Sequence, residues 1–132
     1  VIVDSSALIA VLQQEPDAQA ISAALESSAE RVAVSAATLF EASIIADRAR
    51  DPSVRRRFDE ICAQIGFEVI PFDRAQARIA REAYRDFGRG SGHPARLNFG
   101  DCLAYALAKA MDEPLLYKGT DFGQTDVISA LP

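Results

Sequence analysis

One histidine, two cysteines and two lysines in 132 residues already narrow the chemistry open to this chain. The lone His93 has no second histidine to work with, so a histidine-driven mechanism finds little support. Cys62 and Cys102 both fall in apolar helical patterns, and neither has a Cys or His partner at metal-ligand spacing. A zinc site is therefore not indicated, and buried free thiols in a reducing cytoplasm are expected. No apolar stretch approaches the roughly 20 residues that span a bilayer, and no basic segment precedes the apolar start. A membrane partner and a signal peptide are accordingly not expected. The formal net charge of −5 speaks against a protein that coats nucleic acid by charge alone. There is no internal repeat, low-complexity tract or linker, so residues 1–132 read as a single domain with room for a real core.

What is present is an alternation of short apolar runs with helical patterns. Val1–Val3, Arg31–Ser35, Phe67–Ile70 and Leu115–Tyr117 read as strands, and the tail Asp126–Ile128 as a further edge strand. Between them, Leu8, Ile9 and Leu12 follow the capping residues Ser5 and Ser6, and Ala20, Ile21, Ala24 and Leu25 share a second helical face. The Ala-rich stretch from 36 to 50 predicts a helix with Leu39, Phe40 and Ile44 inward. Asp51-Pro52-Ser53 starts a helix that Gly66 ends, Pro71-Phe72-Asp73 leads one running to about Phe87, and another spans about Phe99 to Met111. Strands alternating with helices imply βαβ crossovers. The fold class expected is α/β, a three-layer α/β/α sandwich around a mostly parallel sheet of about five strands.

Within that frame four acidic residues come to one edge. Asp4 closes the first strand, Asp121 follows the Leu115 strand after a Lys-Gly-Thr turn, and Glu41 and Asp101 are read into the first turns of two helices. In an open parallel sheet, strand C-termini and the helix starts after them share the edge where ligands bind. Singly, each residue has an ordinary reading as a helix cap, a dipole partner or a turn aspartate. Together they would repel one another, and a hard cation explains their gathering. A Mg²⁺- or Mn²⁺-dependent enzyme acting on phosphate is the expectation, because such an ion can lower a water's pKa and clamp the scissile phosphate.

Val-Ile-Val-Asp-Ser-Ser-Ala-Leu at 1–8, Glu41, Leu-Asn-Phe-Gly-Asp-Cys at 97–102 with Tyr105-Ala106, and Lys-Gly-Thr-Asp-Phe at 118–122 resemble the PIN-domain ribonucleases. Among these the chain looks like the VapC-type toxins of bacterial toxin–antitoxin pairs. The resemblance implies Mg²⁺-dependent endonucleolytic cleavage of RNA. It also implies a cognate antitoxin that occludes the site, and a homodimer or toxin–antitoxin hetero-oligomer. Asp4 and Asp101 match the principal metal ligands, Glu41 the third acidic position and Asp121 the fourth, with Asp126 a nearby competitor. Ser6 matches a supporting hydroxyl position, and Asn98 belongs to the matched motif.

Other classes are weighed on the same residues. A phosphoacceptor receiver domain has an acidic Mg²⁺ pocket and a late lysine that Lys118 could mimic, but Ser5-Ser6 stand where further acidic residues would be needed. A haloacid-dehalogenase-like phosphatase needs a second aspartate at position 6. An inactive PIN-like binding module is the remaining alternative, and the complete acidic set opposes it. Arg74, Arg78, Arg81 and Arg85 fall within about 60° of one another on a helical wheel, an Arg ridge that Arg89 extends. It reads as an RNA-phosphate track, a partner contact or a solvated face. Gly88-Arg89-Gly90-Ser91-Gly92 lacks the Lys-Ser/Thr ending of a P-loop and reads as a loop beside the active edge.

Overall fold

Each apolar run becomes a strand, though a shorter one than its pattern suggests. In the computed structural model, which describes residues 1–28 and 31–132, the strands are β1 (Ile2–Val3), β2 (Ala33–Ser35), β3 (Glu68–Ile70) and β4 (Leu115–Leu116). The helices are α1 (Ser5–Leu12), α2 (Ala18–Ser27), α3 (Ala36–Asp47), α4 (Pro52–Ile65), α5 (Arg74–Phe87) and α6 (Phe99–Met111), followed by a 3₁₀ turn at Phe122–Gln124. All strand pairs are parallel, in the order β3-β2-β1-β4.

Side-chain alternation along the strands splits the core in two. Ile2 is in register with Ala33 and Leu115, and all three face a core closed by α5 and α6. Val3 and Leu116, one residue on, face the opposite core, built from α1 to α4. The chain steps from β1 to β3 with its helices on one face, then returns past β1 to β4 with α5 and α6 on the other. Right-handed crossovers require that change of face when direction reverses. The three-layer sandwich is thus as expected, and β1 lies in the middle of the sheet.

Three expectations are corrected. The sheet has four strands among the described residues, not five. The tail makes only an isolated parallel bridge, Leu115 with Ser129, in which Leu115 N–H donates to Ile128 O at 2.8 Å and Ala130 N–H to Leu115 O at 2.9 Å. The Asp126 side chain instead bonds to Tyr105 and Lys109. Phe40 and Ile44 do not point inward: Phe40 is 68% exposed and Ile44 is also exposed, while Thr38, Ala42 and Ala46 are the buried residues of α3. Finally, α3 ends at Asp47, with Arg50 in a left-handed conformation beyond it.

Candidate active site

The strand order reverses at β1, and the cleft forms there, outside the carboxyl end of the sheet. It has a volume of about 330 Å³ and is lined by Asp4, Ser6, Glu15, Glu41, Asp101 and Lys118, with Ser5, Ile9, Ile45 and Asn98 completing the wall. Asp4 leaves β1 in an extended conformation and caps α1: its Oδ2 accepts from Ser6 N–H at 3.0 Å and from the Ser6 hydroxyl at 2.5 Å. Asp101 is the third residue of α6 and forms a reciprocal capping box with Asn98. Its Oδ2 accepts from Asn98 N–H at 2.9 Å, and Asn98 Oδ1 accepts from Asp101 N–H at 2.8 Å. The capping roles are therefore real, but each consumes one oxygen of its carboxylate. Asp4 Oδ1 is buried with no hydrogen-bond partner among the described residues.

Glu41 arrives differently. It is the sixth residue of α3, in the second turn rather than the first, so the helix dipole does not account for it. Its carboxylate lies against the bare Cα of Gly100, where an added Cβ would overlap Oε2. Gly100 is the second residue of α6, within a helix that alanine would favour over glycine. The close approach of Glu41 supplies the reason for it. Asp121 sits after β4 at the start of the 3₁₀ turn, exposed, and its charge acts on Asp101.

The electrostatics are those of crowded anions. Asp4 is 2% exposed, and its carboxyl is pushed up to about 6, chiefly by burial and then by the charges of Asp101 and Glu41, against the opposing hydrogen bonds from Ser6. Burial also raises Asp101. Asp121 and Glu41 push it further the same way, while the Asn98 amide and the Arg89 guanidinium pull it back. No three acidic side chains converge on one point among the described residues. Mg²⁺ keeps several of its own waters and needs only one or two direct carboxylates, so this all-oxygen set with an unpartnered buried Oδ1 fits such an ion.

Several predicted residues lie elsewhere. Asp126 is not part of the cleft: it accepts from the Tyr105 hydroxyl at 2.7 Å and from Lys109 Nζ at 3.0 Å, and these partners lower its pKa. The Arg74–Arg85 ridge stands exposed on the outer side of α5, with Arg85 paired to Asp86 at 2.8 Å. His93 packs edge-on against Phe87 and its Nδ1 accepts from Ala95 N–H at 3.1 Å, so it ties the loop together and does not line the cleft. Both cysteines are free; Cys102 is buried and its thiol pushed up to about 11, mainly by burial. Glu15 and the site role of Gly100 escape a reading of the sequence, Gly100 being signalled only as a glycine in the first turn of a helix beside a candidate site aspartate.

Burying the Asp4 charge has a testable cost. A carboxyl raised from 3.8 to about 6 in the folded state favours folding fully only below the unfolded value, and that contribution is lost as pH rises through 6. Asp4→Asn, melted without divalent cations at pH 7.5, should therefore gain a few degrees over the parent, and the gain should shrink at pH 5. An equal or larger gain at pH 5 would mean that charge burial is not the cause.

The PIN domain family model matches residues 1–128. Ribonuclease VapC28 of Mycobacterium tuberculosis is 54% identical over 130 residues, covering 98% of this chain and 97% of the relative. Ribonuclease VapC42 of the same species is 46% identical over 126 residues, covering 96% and 95%. Among solved structures, M. tuberculosis VapC20, described as a toxin that cleaves the sarcin-ricin loop, superposes with a TM-score of 0.76 at 16% identity, covering 99% and 98%. A toxin–antitoxin complex from Klebsiella pneumoniae superposes at 0.72 with 18% identity, covering 98% and 97%. These two likenesses agree on the fold. A domain-wide family match and near-full-length relatives of this identity place the chain in the PIN-domain family, among the VapC ribonucleases.

Proposed function

We propose that the chain is a Mg²⁺-dependent endoribonuclease, with Mn²⁺ as a substitute ion, acting as the toxin of a toxin–antitoxin pair. The observation that carries this reading is the buried Asp4 carboxylate, one oxygen fixed by Ser6 and the other unpartnered, beside Asp101 and Glu41 in a VapC-family cleft. When bound, Mg²⁺ would supply a water of lowered pKa and charge neutralisation at the scissile phosphate. Asp4 and Asp101 would offer the principal ligand oxygens, each oriented by the bonds of its own helix cap. Glu41 would add a third carboxylate held in place against Gly100, and Asp121, outside the cleft lining but close enough for its charge to act on Asp101, a fourth. Ser6 and Asn98 act by fixing the carboxylates they touch.

Partners are proposed on the same family likeness and on two surface grooves. One, of about 190 Å³ between α1, α2 and α4, is lined by Val11, Leu25, Ile61 and Ile65 together with Ser22, Glu26 and Gln64, and suits an amphipathic segment of an antitoxin that also occludes the cleft. The other, of about 280 Å³, runs between α5 and α6 under Phe72, Tyr84 and Phe99, with Phe99 77% exposed. Exposed aromatics around one groove suit a second copy of the chain, giving a homodimer.

Purified protein should cleave single-stranded RNA with Mg²⁺ or Mn²⁺ and stop in excess chelator. Asp4→Asn and Asp101→Asn should each lose on the order of 100-fold or more in rate, Glu41→Gln nearly as much and Asp121→Asn less. Gly100→Ala should also lose about tenfold, by displacing the Glu41 carboxylate, while melting within a few degrees of the parent. Undiminished cleavage in chelator, or full activity of Asp101→Asn, would refute the mechanism.

Phe99→Asp should shift the protein from dimer to monomer in sedimentation analysis. A monomeric parent, or a dimer unaffected by this change, would remove the α5–α6 groove as the interface.

A further inference from the structure

Among the described residues, Lys118 is the only basic one lining the cleft, set among Asp4, Glu15, Glu41 and Asp101. Its place is fixed through the main chain. Lys118 N–H donates to Ser6 Oγ at 3.0 Å, and the same hydroxyl donates to Asp4 Oδ2. The lysine is therefore one residue's bonding away from the central carboxylate, whatever its side chain does. The side chain is turned aside: Nζ is ion-paired with Glu15, which sits in the turn between α1 and α2. The pair links that turn to the loop after β4 along the cleft wall, and both side chains are partly exposed, at 36% for lysine and 24% for glutamate. The Glu15 carboxylate raises the Lys118 pKa, chiefly through this hydrogen bond.

An RNA strand entering this cleft meets four carboxylates. Even with cations neutralising some of them, a phosphate flanking the scissile one needs a positive group at the mouth. Lysine is a flexible point charge that binds phosphate without demanding a fixed orientation. A carboxylate already in contact with that ammonium is an internal competitor for the same position.

We propose that Lys118 binds an RNA phosphate at the mouth of the cleft, and that Glu15 holds the ammonium until the phosphate displaces it. This rests on the ribonuclease reading above but concerns substrate binding, not the metal. Glu15 is then a brake on affinity: it makes the cleft select substrates with enough phosphates to outcompete it. Because the contact is to the backbone, its loss should weaken binding alike across sequences.

The test is fluorescence anisotropy with a labelled single-stranded RNA, in the Asp101→Asn background, across a series of salt concentrations. Lys118→Met should weaken binding about fivefold at low salt and reduce the salt slope by roughly 0.7, the value for one phosphate contact on a single strand. Lys118→Arg should restore most of the affinity. Glu15→Gln should tighten binding several-fold, and that gain should vanish when combined with Lys118→Met. Unchanged affinity and slope in Lys118→Met would overturn the proposal. So would a Glu15→Gln gain of the same size with or without Lys118, since general charge repulsion would then explain it. Gels of the same samples show whether Asp101→Asn still cuts RNA, which would count against the metal-dependent reading and leave the binding result to stand by itself.

Discussion

The burial of neighbouring carboxylates at the end of β1 is the constraint around which the site is organised. Asp4 is almost fully buried, carries one oxygen with no partner among the described residues and is pushed up to about 6. Such a group destabilises a metal-free fold at neutral pH, and the surrounding structure spends capping bonds to hold it. Ser6 takes one oxygen of Asp4, and the Asn98 box takes one oxygen of Asp101. Each helix start thereby anchors an acidic side chain and leaves part of it facing the cleft.

That economy explains why ordinary local readings and the functional one are compatible. A cap needs one carboxylate oxygen; a cation ligand needs another. Gly100 shows the same logic from the opposite side, since giving up a Cβ in the first turn of α6 lets Glu41 approach from α3. The acidic cluster is thus built from three separate elements, each contributing one group, with Asp4 at the end of the interior strand β1.

Much of this was legible in the sequence where local chemistry decides the outcome. Asp51 caps α4 through Ser53 N–H at 2.9 Å and Gly66 ends it in a left-handed conformation, so both boundaries could be read directly. Asp73 and Asn98 mark the starts of α5 and α6 in the same way. The orientation of α3 was not legible, because Leu39, Phe40, Ala42, Ile44, Ile45 and Ala46 put apolar residues on nearly every side and leave no stripe to read. The separation of Asp121 from Asp126 depends on Tyr105 and Lys109, which lie 21 and 17 residues from Asp126. The Glu15–Lys118 contact joins residues 103 apart in sequence. Local patterns carry no information on such pairings, whereas a carboxylate beside a strand end or a helix start does announce itself.

The central claim is that the free oxygens of Asp4 and Asp101 are cation ligands. Crystals soaked in Mn²⁺ and measured for anomalous scattering address it most directly. The account predicts an anomalous peak in the cleft in contact with Asp4 Oδ1 and the Asp101 carboxylate, absent from Asp4→Asn crystals treated identically. Manganese bound only elsewhere, or a cleft peak that persists in Asp4→Asn, would contradict it.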